Sequence, residues 1–214
     1  MDLKKLLNQS IDAARRLKNL CLLFALAQVV FLVFGHWMVA AGYEGALSLR
    51  SEQLKYIQEL GYLKPITGVL AGSLILKIFY TFVFNLIAGA LVSTTVTGVI
   101  FFIPYLVAVW RSFLIGLLFY GFDLSPLMMA VFYGTFLLEF GAYSLSSAIG
   151  TDIGLAIIWP ERKGNLTRKQ AVGQSIRNGI NLYVLVIILL FLGAVWEMSM
   201  LHYFGPLVSP EALK

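Results

Sequence analysis

Charge is scarce in this chain of 214 residues. Asp, Glu, Lys and Arg make up 13% of it, against 59% hydrophobic residues, and mean hydropathy is +0.84. A soluble domain carries about 25% charge, so a water-soluble globule is excluded. Cysteine is nearly absent. The single Cys21 rules out a disulfide framework and a cysteine-based metal site. The two histidines, His36 and His202, leave little for a histidine metal site, and both read as interfacial residues near the outer ends of their helices. No Ser/His/Asp order and no carboxylate pair with acid/base spacing is visible. The phosphate-loop pattern GxxxxGK[ST] does not occur. No catalytic residue, metal or cofactor is therefore expected, and the chain reads as a non-enzyme.

Long apolar runs are what the chain does have. A spanning helix needs about 20 mostly apolar residues, because the hydrocarbon layer is about 30 Å thick. The first run covers about 20–41. The tract from Pro65 to Phe122 is too long for one span and is cut at Ser93-Thr94-Thr95-Val96-Thr97-Gly98, giving spans at about 66–92 and 97–121. Ser125-Pro126 is a helix start, with Ser125 as cap and Pro126 at the first helical position. The run that follows, about 126–158, is long for one span, and Gly134, Gly141, Gly150 and Gly154 point to a kink or break in it. The last run is about 180–204, followed by a short tail at 206–214. The expected fold class is all-α: a polytopic membrane helix bundle of five spans with a kinked fourth.

Basic residues orient the bundle. Ten of the sixteen fall in two segments. Lys4, Lys5, Arg15, Arg16 and Lys18 precede the first span; Arg162, Lys163, Arg168, Lys169 and Arg177 follow the fourth. By the positive-inside rule both segments are cytoplasmic, and four spans between them satisfy parity. This predicts a multi-pass protein of the cell membrane, N-terminus in the cytoplasm and C-terminus outside. Residues 1–19 are no secretory signal: the basic part is too long, and the apolar run after it has full span length and no cleavage pattern. Leu3, Leu6, Leu7, Ile11, Ala14 and Leu17 fall near one helical face, which reads as an amphipathic helix on the cytoplasmic leaflet. A second surface helix is expected at 48–62, on the other side. Anionic lipid attracts such basic clusters, so the bilayer accounts for the high pI without nucleic acid.

The residues of most interest are charges inside the spans. A charge at the centre of a membrane helix costs about 2.5–3.5 kcal/mol on insertion scales, so each must pair or reach water. Lys77, Arg111, Glu139 and Glu197 lie within predicted spans, and Asp152 lies nearer the cytoplasmic end of the fourth. Arg111 and Glu139 fall at similar depth in antiparallel neighbours and are expected to pair. Lys77 and Glu197 form a second pair if their helices touch. Such groups serve either to fix helix packing or as a polar pathway with a proton-linked carboxylate.

Small residues recur every fourth position as Asn85, Gly89, Ser93 and Thr97, and again as Ala142, Ser146, Gly150 and Gly154. Gly68-xxx-Gly72 repeats the idea. Such a face packs helices closely, either within the chain or against another subunit. Trp37 and Trp159 fall at predicted interfaces, as in an aromatic belt. Trp110 and Trp196 lie deeper, beside Arg111 and Glu197 but on different helix faces.

The order of these features resembles the stage II sporulation protein M family. The resemblance covers about residues 75–205. It rests on phenylalanines running into Asn85 and its ladder, on Glu139-Phe140-Gly141-Ala142-Tyr143-Ser144-Leu145-Ser146-Ser147-Ala148-Ile149-Gly150, and on Gly193-Ala194-Val195-Trp196-Glu197 in the last span. By position, Asn85, Glu139, Gly150 and Glu197 match the family pattern. Thr135 and Phe136 stand where the family often has His-Gly, Gly141 replaces a proline, and Arg111-Ser112 stands where Asn-Gly is frequent. The missing histidine leaves Arg111 as the expected partner of Glu139. The resemblance implies a polytopic membrane protein; the namesake of the family works with two other membrane-associated proteins in peptidoglycan remodelling. The expected function is a non-enzymatic scaffold or assembly subunit, partnered by other membrane subunits or by copies of itself. The alternative is the membrane subunit of an exporter, working with a separate ATPase at the basic cytoplasmic loop, where 168–177 has the composition of a short helix.

Overall fold

The computed structural model describes residues 3–59, 68, 70, 72–121, 125–164 and 166–204. The expected beginning of the second span, the end of the 48–62 surface helix, Asp123 and the 206–214 tail lie outside the described residues. The described residues are helical with no strand. In chain order they form α1 (Leu3–Arg16), α2 (Lys18–Ala40), α3 (Glu44–Glu59), α4 (Leu74–Val99), α5 (Ile103–Phe119), α6 (Pro126–Ile158) and α7 (Arg168–Phe204). Four of them, α2, α4, α6 and α7, are long and apolar enough to cross a membrane. Helix α5 is apolar but shorter, with 17 residues.

Local chemistry sets the ends. Ser125 accepts from the Met128 amide at 3.3 Å, and Pro126 opens α6 as anticipated. Pro160, which cannot continue an α-helix, follows its end. At the start of α7, Thr167 and Gln170 form a reciprocal cap: the Thr167 amide donates to Gln170 Oε1 at 3.0 Å and the Gln170 amide to Thr167 Oγ1 at 3.4 Å. This start agrees with the helix expected from 168, but the helix does not stop at 177. Instead of a short cytoplasmic helix and a separate span from 180, α7 runs unbroken for 37 residues. At 1.5 Å per residue it exceeds the hydrocarbon layer by several turns.

Helix α6 is likewise one unbroken helix of 33 residues, not two pieces. Its glycines serve packing. Gly134 makes room for the Trp196 indole, whose Nε1 donates to the Val131 carbonyl at 3.3 Å. Gly150 and Gly154 lie directly on the α4 backbone, where Cβ atoms would run into the Thr94 and Gly98 carbonyls.

Helix α4 departs from regular α geometry. After Leu74–Phe84 it widens into a π-helix over Asn85–Val96 and tightens to a 3₁₀ turn at Thr97–Val99. Its hydroxyls supply a cause. Ser93, Thr94 and Thr97 each donate to the carbonyl four residues back, at Gly89, Ala90 and Ser93. Those carbonyls are then shared, and the backbone amides bond one residue further back. The polar patch at 93–98, a boundary between two spans by its composition, therefore lies largely within the helix, and the next helix starts at Ile103.

The core forms where α6 and α7 pair along their length and α4 lies across them. Ala90, Ala142, Tyr143, Val186 and Leu190 are buried together there. Helices α2 and α5 cross at two glycines, with Gly35 against the Phe113 carbonyl and Gly116 against that of Leu32. Nδ1 of His36 lies 2.5 Å from the Gly116 carbonyl at the same crossing. Helix α1 packs its apolar face on α7: Ala13 and Leu17 join Ile149 and Leu182, and Ser10 donates to the Asn181 carbonyl at 2.6 Å. Ser10 is fully buried. Ser10→Leu should release α1 from α7, because the larger side chain has no room and the hydrogen bond is lost, at a cost of about 2 kcal/mol. Faster amide exchange or proteolysis confined to 3–16 is the expected readout; unchanged protection would show that α1 docks without this contact.

Candidate functional site

Three charges from the spans meet at one cavity. It has a volume of about 600 Å³ and lies between α3, α5, α6 and α7. Arg111, Glu139 and Glu197 are its charged lining residues, Thr135 adds a hydroxyl, and Phe132, Phe136 and Leu114 belong to the apolar walls. Gln53 and Tyr56 of α3 reach its other end. Arg111 is its only basic lining residue among those described.

The expected Arg111–Glu139 ion pair is not formed within 4 Å, since the ion pairs among the described residues are elsewhere. Each group is claimed by α4 instead. The Arg111 guanidinium lies 4.1 Å from the centre of the Tyr143 ring and donates to Ser93 Oγ at 3.0 Å and the Gly89 carbonyl at 3.4 Å. Oε1 of Glu139 accepts from Asn85 Nδ2 at 2.6 Å. Asn85, Gly89 and Ser93, which read as a packing ladder, thus hold the charged residues of the cavity. Gly89 is required here, because a Cβ would lie 2.8 Å from the Tyr143 hydroxyl oxygen.

The second expected pair is not formed either. Helices α4 and α7 do touch, with Phe82 edge-on to Phe191 at 5.7 Å, but Glu197 turns into the cavity while Lys77 stays half-buried on α4 away from it. Asp152 has a partner that was not foreseen: Lys163 donates to it at 2.7 Å from the turn after α6. On the second ladder, Ser146 Oγ lies 2.8 Å from Thr94 Oγ1 and the Ser146 carbonyl accepts from Thr95 at 3.2 Å, Gly150 and Gly154 meet the α4 backbone, and Ala142 is fully buried. The second ladder therefore packs α6 against α4 within the chain.

Two polar sites were missed from sequence. Gln28 is buried in α2 and donates to Ser144 Oγ at 2.6 Å; a lone glutamine in an apolar run was the available signal. The Thr135 hydroxyl is buried without a hydrogen-bond partner among the described residues. Trp110 is half exposed, facing away from Arg111 as the sequence required. Among the described residues, no group of His, Cys, Asp and Glu is arranged to hold a metal. Compared with family models, curated proteins and solved structures, the chain matches none.

Proposed function

We propose that this chain is a five-span subunit of the cell membrane that acts as a non-enzymatic scaffold in a larger or homo-oligomeric complex, in the manner of the stage II sporulation protein M family. The fifth span is α5, whose 17 residues sit at the short end of the spanning range. The N-terminus is cytoplasmic and the C-terminus outside, on the evidence of the basic clusters.

The observation that carries this reading is α4. Only 11% of its most apolar stretch is buried, against 28% for each of the other three long helices. Its exposed face holds Ile75 and, around a shallow apolar groove, Leu76, Phe79 and Ile87, and half-buried Lys77 sits beside them. A cation at that position is costly against lipid and is accommodated where another membrane helix supplies a carboxylate or carbonyl. Native mass spectrometry in mild detergent should find the protein as an oligomer or with other membrane subunits; monomer alone under every condition counts against the scaffold.

One observation favours a second reading, the membrane subunit of an exporter with a separate ATPase. The cavity of Arg111, Glu139 and Glu197 is large enough for a small ligand. A neighbouring ATPase gene would favour export, and a cell-wall hydrolase gene the scaffold.

A further inference from the structure

A second cavity lies at the opposite end of the bundle from the one just described. It is about 430 Å³ in volume, between the end of α1, the turn after α6 and the first turns of α7. Three cations line it, Arg16, Arg162 and Lys163, against a single carboxylate among the described lining residues, Asp152. Lys163 already satisfies Asp152 at 2.7 Å, with both side chains largely buried. The two arginines remain as surplus positive charge. Arg16 is oriented by Asn178, whose Oδ1 accepts from Nη1 at 3.2 Å, and this leaves the other guanidinium N–H groups available for a planar oxyanion. Arg162 is exposed at the rim.

The height of the pocket matters as much as its charge. Trp159 lines it and is 54% exposed, as suits an indole at the membrane–water boundary. Leu17 and Leu155 line it as well. A guanidinium pair beside an apolar wall at that depth matches a phosphate with acyl chains attached, because the phosphate meets the arginines while the chains stay against the helices.

We infer that Arg16 and Arg162, brought together over the Asp152–Lys163 pair at the α1–α6–α7 junction, form a site for a phosphate-bearing anion, filled by the headgroup of an anionic phospholipid. The site stands whether the protein is a scaffold or an exporter subunit. Soluble phosphate shares this chemistry, and the test separates the two sources.

The full-length protein in mild detergent is offered equal amounts of phosphatidylglycerol and phosphatidylcholine, and retained lipid is counted by native mass spectrometry. Phosphatidylglycerol should be retained preferentially. Arg16→Gln with Arg162→Gln should lower its retention by roughly fivefold per arginine. Lys5→Gln with Lys18→Gln removes the same charge from exposed positions outside the pocket and should change retention little. Equal losses in the two double variants would mean diffuse attraction to a basic surface and overturn the site. In the wild type, displacement of the lipid by millimolar inorganic phosphate would support the phosphate site but make soluble phosphate its ligand; persistence of the lipid supports the headgroup. Absence of both lipid preference and phosphate binding in the wild type would overturn the proposal without any variant.

Discussion

Gly150→Ala should destabilise the protein by about 3 kcal/mol, the upper end of what overpacking a tight contact costs. One methyl group is enough because the atoms in its way are backbone. A Cβ on Gly150 would run into the Thr94 carbonyl and lie 3.0 Å from Thr95 Cα, and neither can swing aside as a side-chain tip can. Gly154→Ala meets the Gly98 carbonyl one turn on, so the two losses should not add: once α4 has moved away from α6, the second methyl has space. Displacing α4 also pulls Thr94 and Thr95 from their bonds with Ser146. Gly173→Ala is the control. Nothing lies within 4 Å of a Cβ there, and the gain in helix propensity, up to about 1 kcal/mol, should leave stability equal or higher. Thermal unfolding in mild detergent checks both; equal behaviour of Gly150→Ala and Gly173→Ala would remove the close approach of α4 and α6 from the account.

Arg111→Met carries the second large effect. Losing the cation leaves Glu139 and Glu197 in one cavity with no basic lining residue among those described, and orphaning a buried charge costs about 3–5 kcal/mol. It also strips the Tyr143 ring and Ser93 of their contacts with the guanidinium. Adding Glu139→Gln to Arg111→Met should recover most of the loss, because the glutamine carbonyl still accepts from Asn85 while the negative charge is gone. Glu139→Gln alone should be mild for the same reason. Recovery in the double variant, read from the same melts, assigns the charges to stability. If Arg111→Met instead keeps full stability yet loses activity in cells, packing is not the role of Arg111, and the cavity is a ligand site.

The parts of the fold written in local chemistry were legible in the sequence. Ser125-Pro126 begins a helix wherever it stands, and the amphipathic face of 3–16 needs only a surface to lie on. The apolar runs put Arg111 and Glu139 at similar depth, and both line one cavity; Glu197, expected beside Lys77, lines that cavity instead. The runs did not give the partner of each charge, because hydropathy measures position along the membrane normal and says nothing of which neighbour stands beside a helix. Glu139 went to Asn85 and Arg111 to Ser93 for that reason. The π-helix was hidden by its own pattern: small residues at every fourth position stay near one face in an α-helix and in the wider turn alike. Gly35 and Gly116 escaped notice because each is isolated in its own helix, and only the crossing of α2 and α5 makes them a pair. The helix start at Arg168 is legible, but its run into the last span is not, because Asn178 and Gly179 interrupt the apolar pattern, and Gly179 is there to pack on Ile149.

The continuity of α7 has a mechanical side. Asn178 lines one cavity and Glu197 the other, and about 28 Å of unbroken helix joins them at 1.5 Å per residue. Between them lie Val186 and Leu190, fully buried against α6 and α4. The helix buries residues along its length, from Ala171 to Met198, and carries a cavity-lining residue toward each end. Both cavities therefore share one unbroken wall, so a shift of α7 along α6 alters the two together.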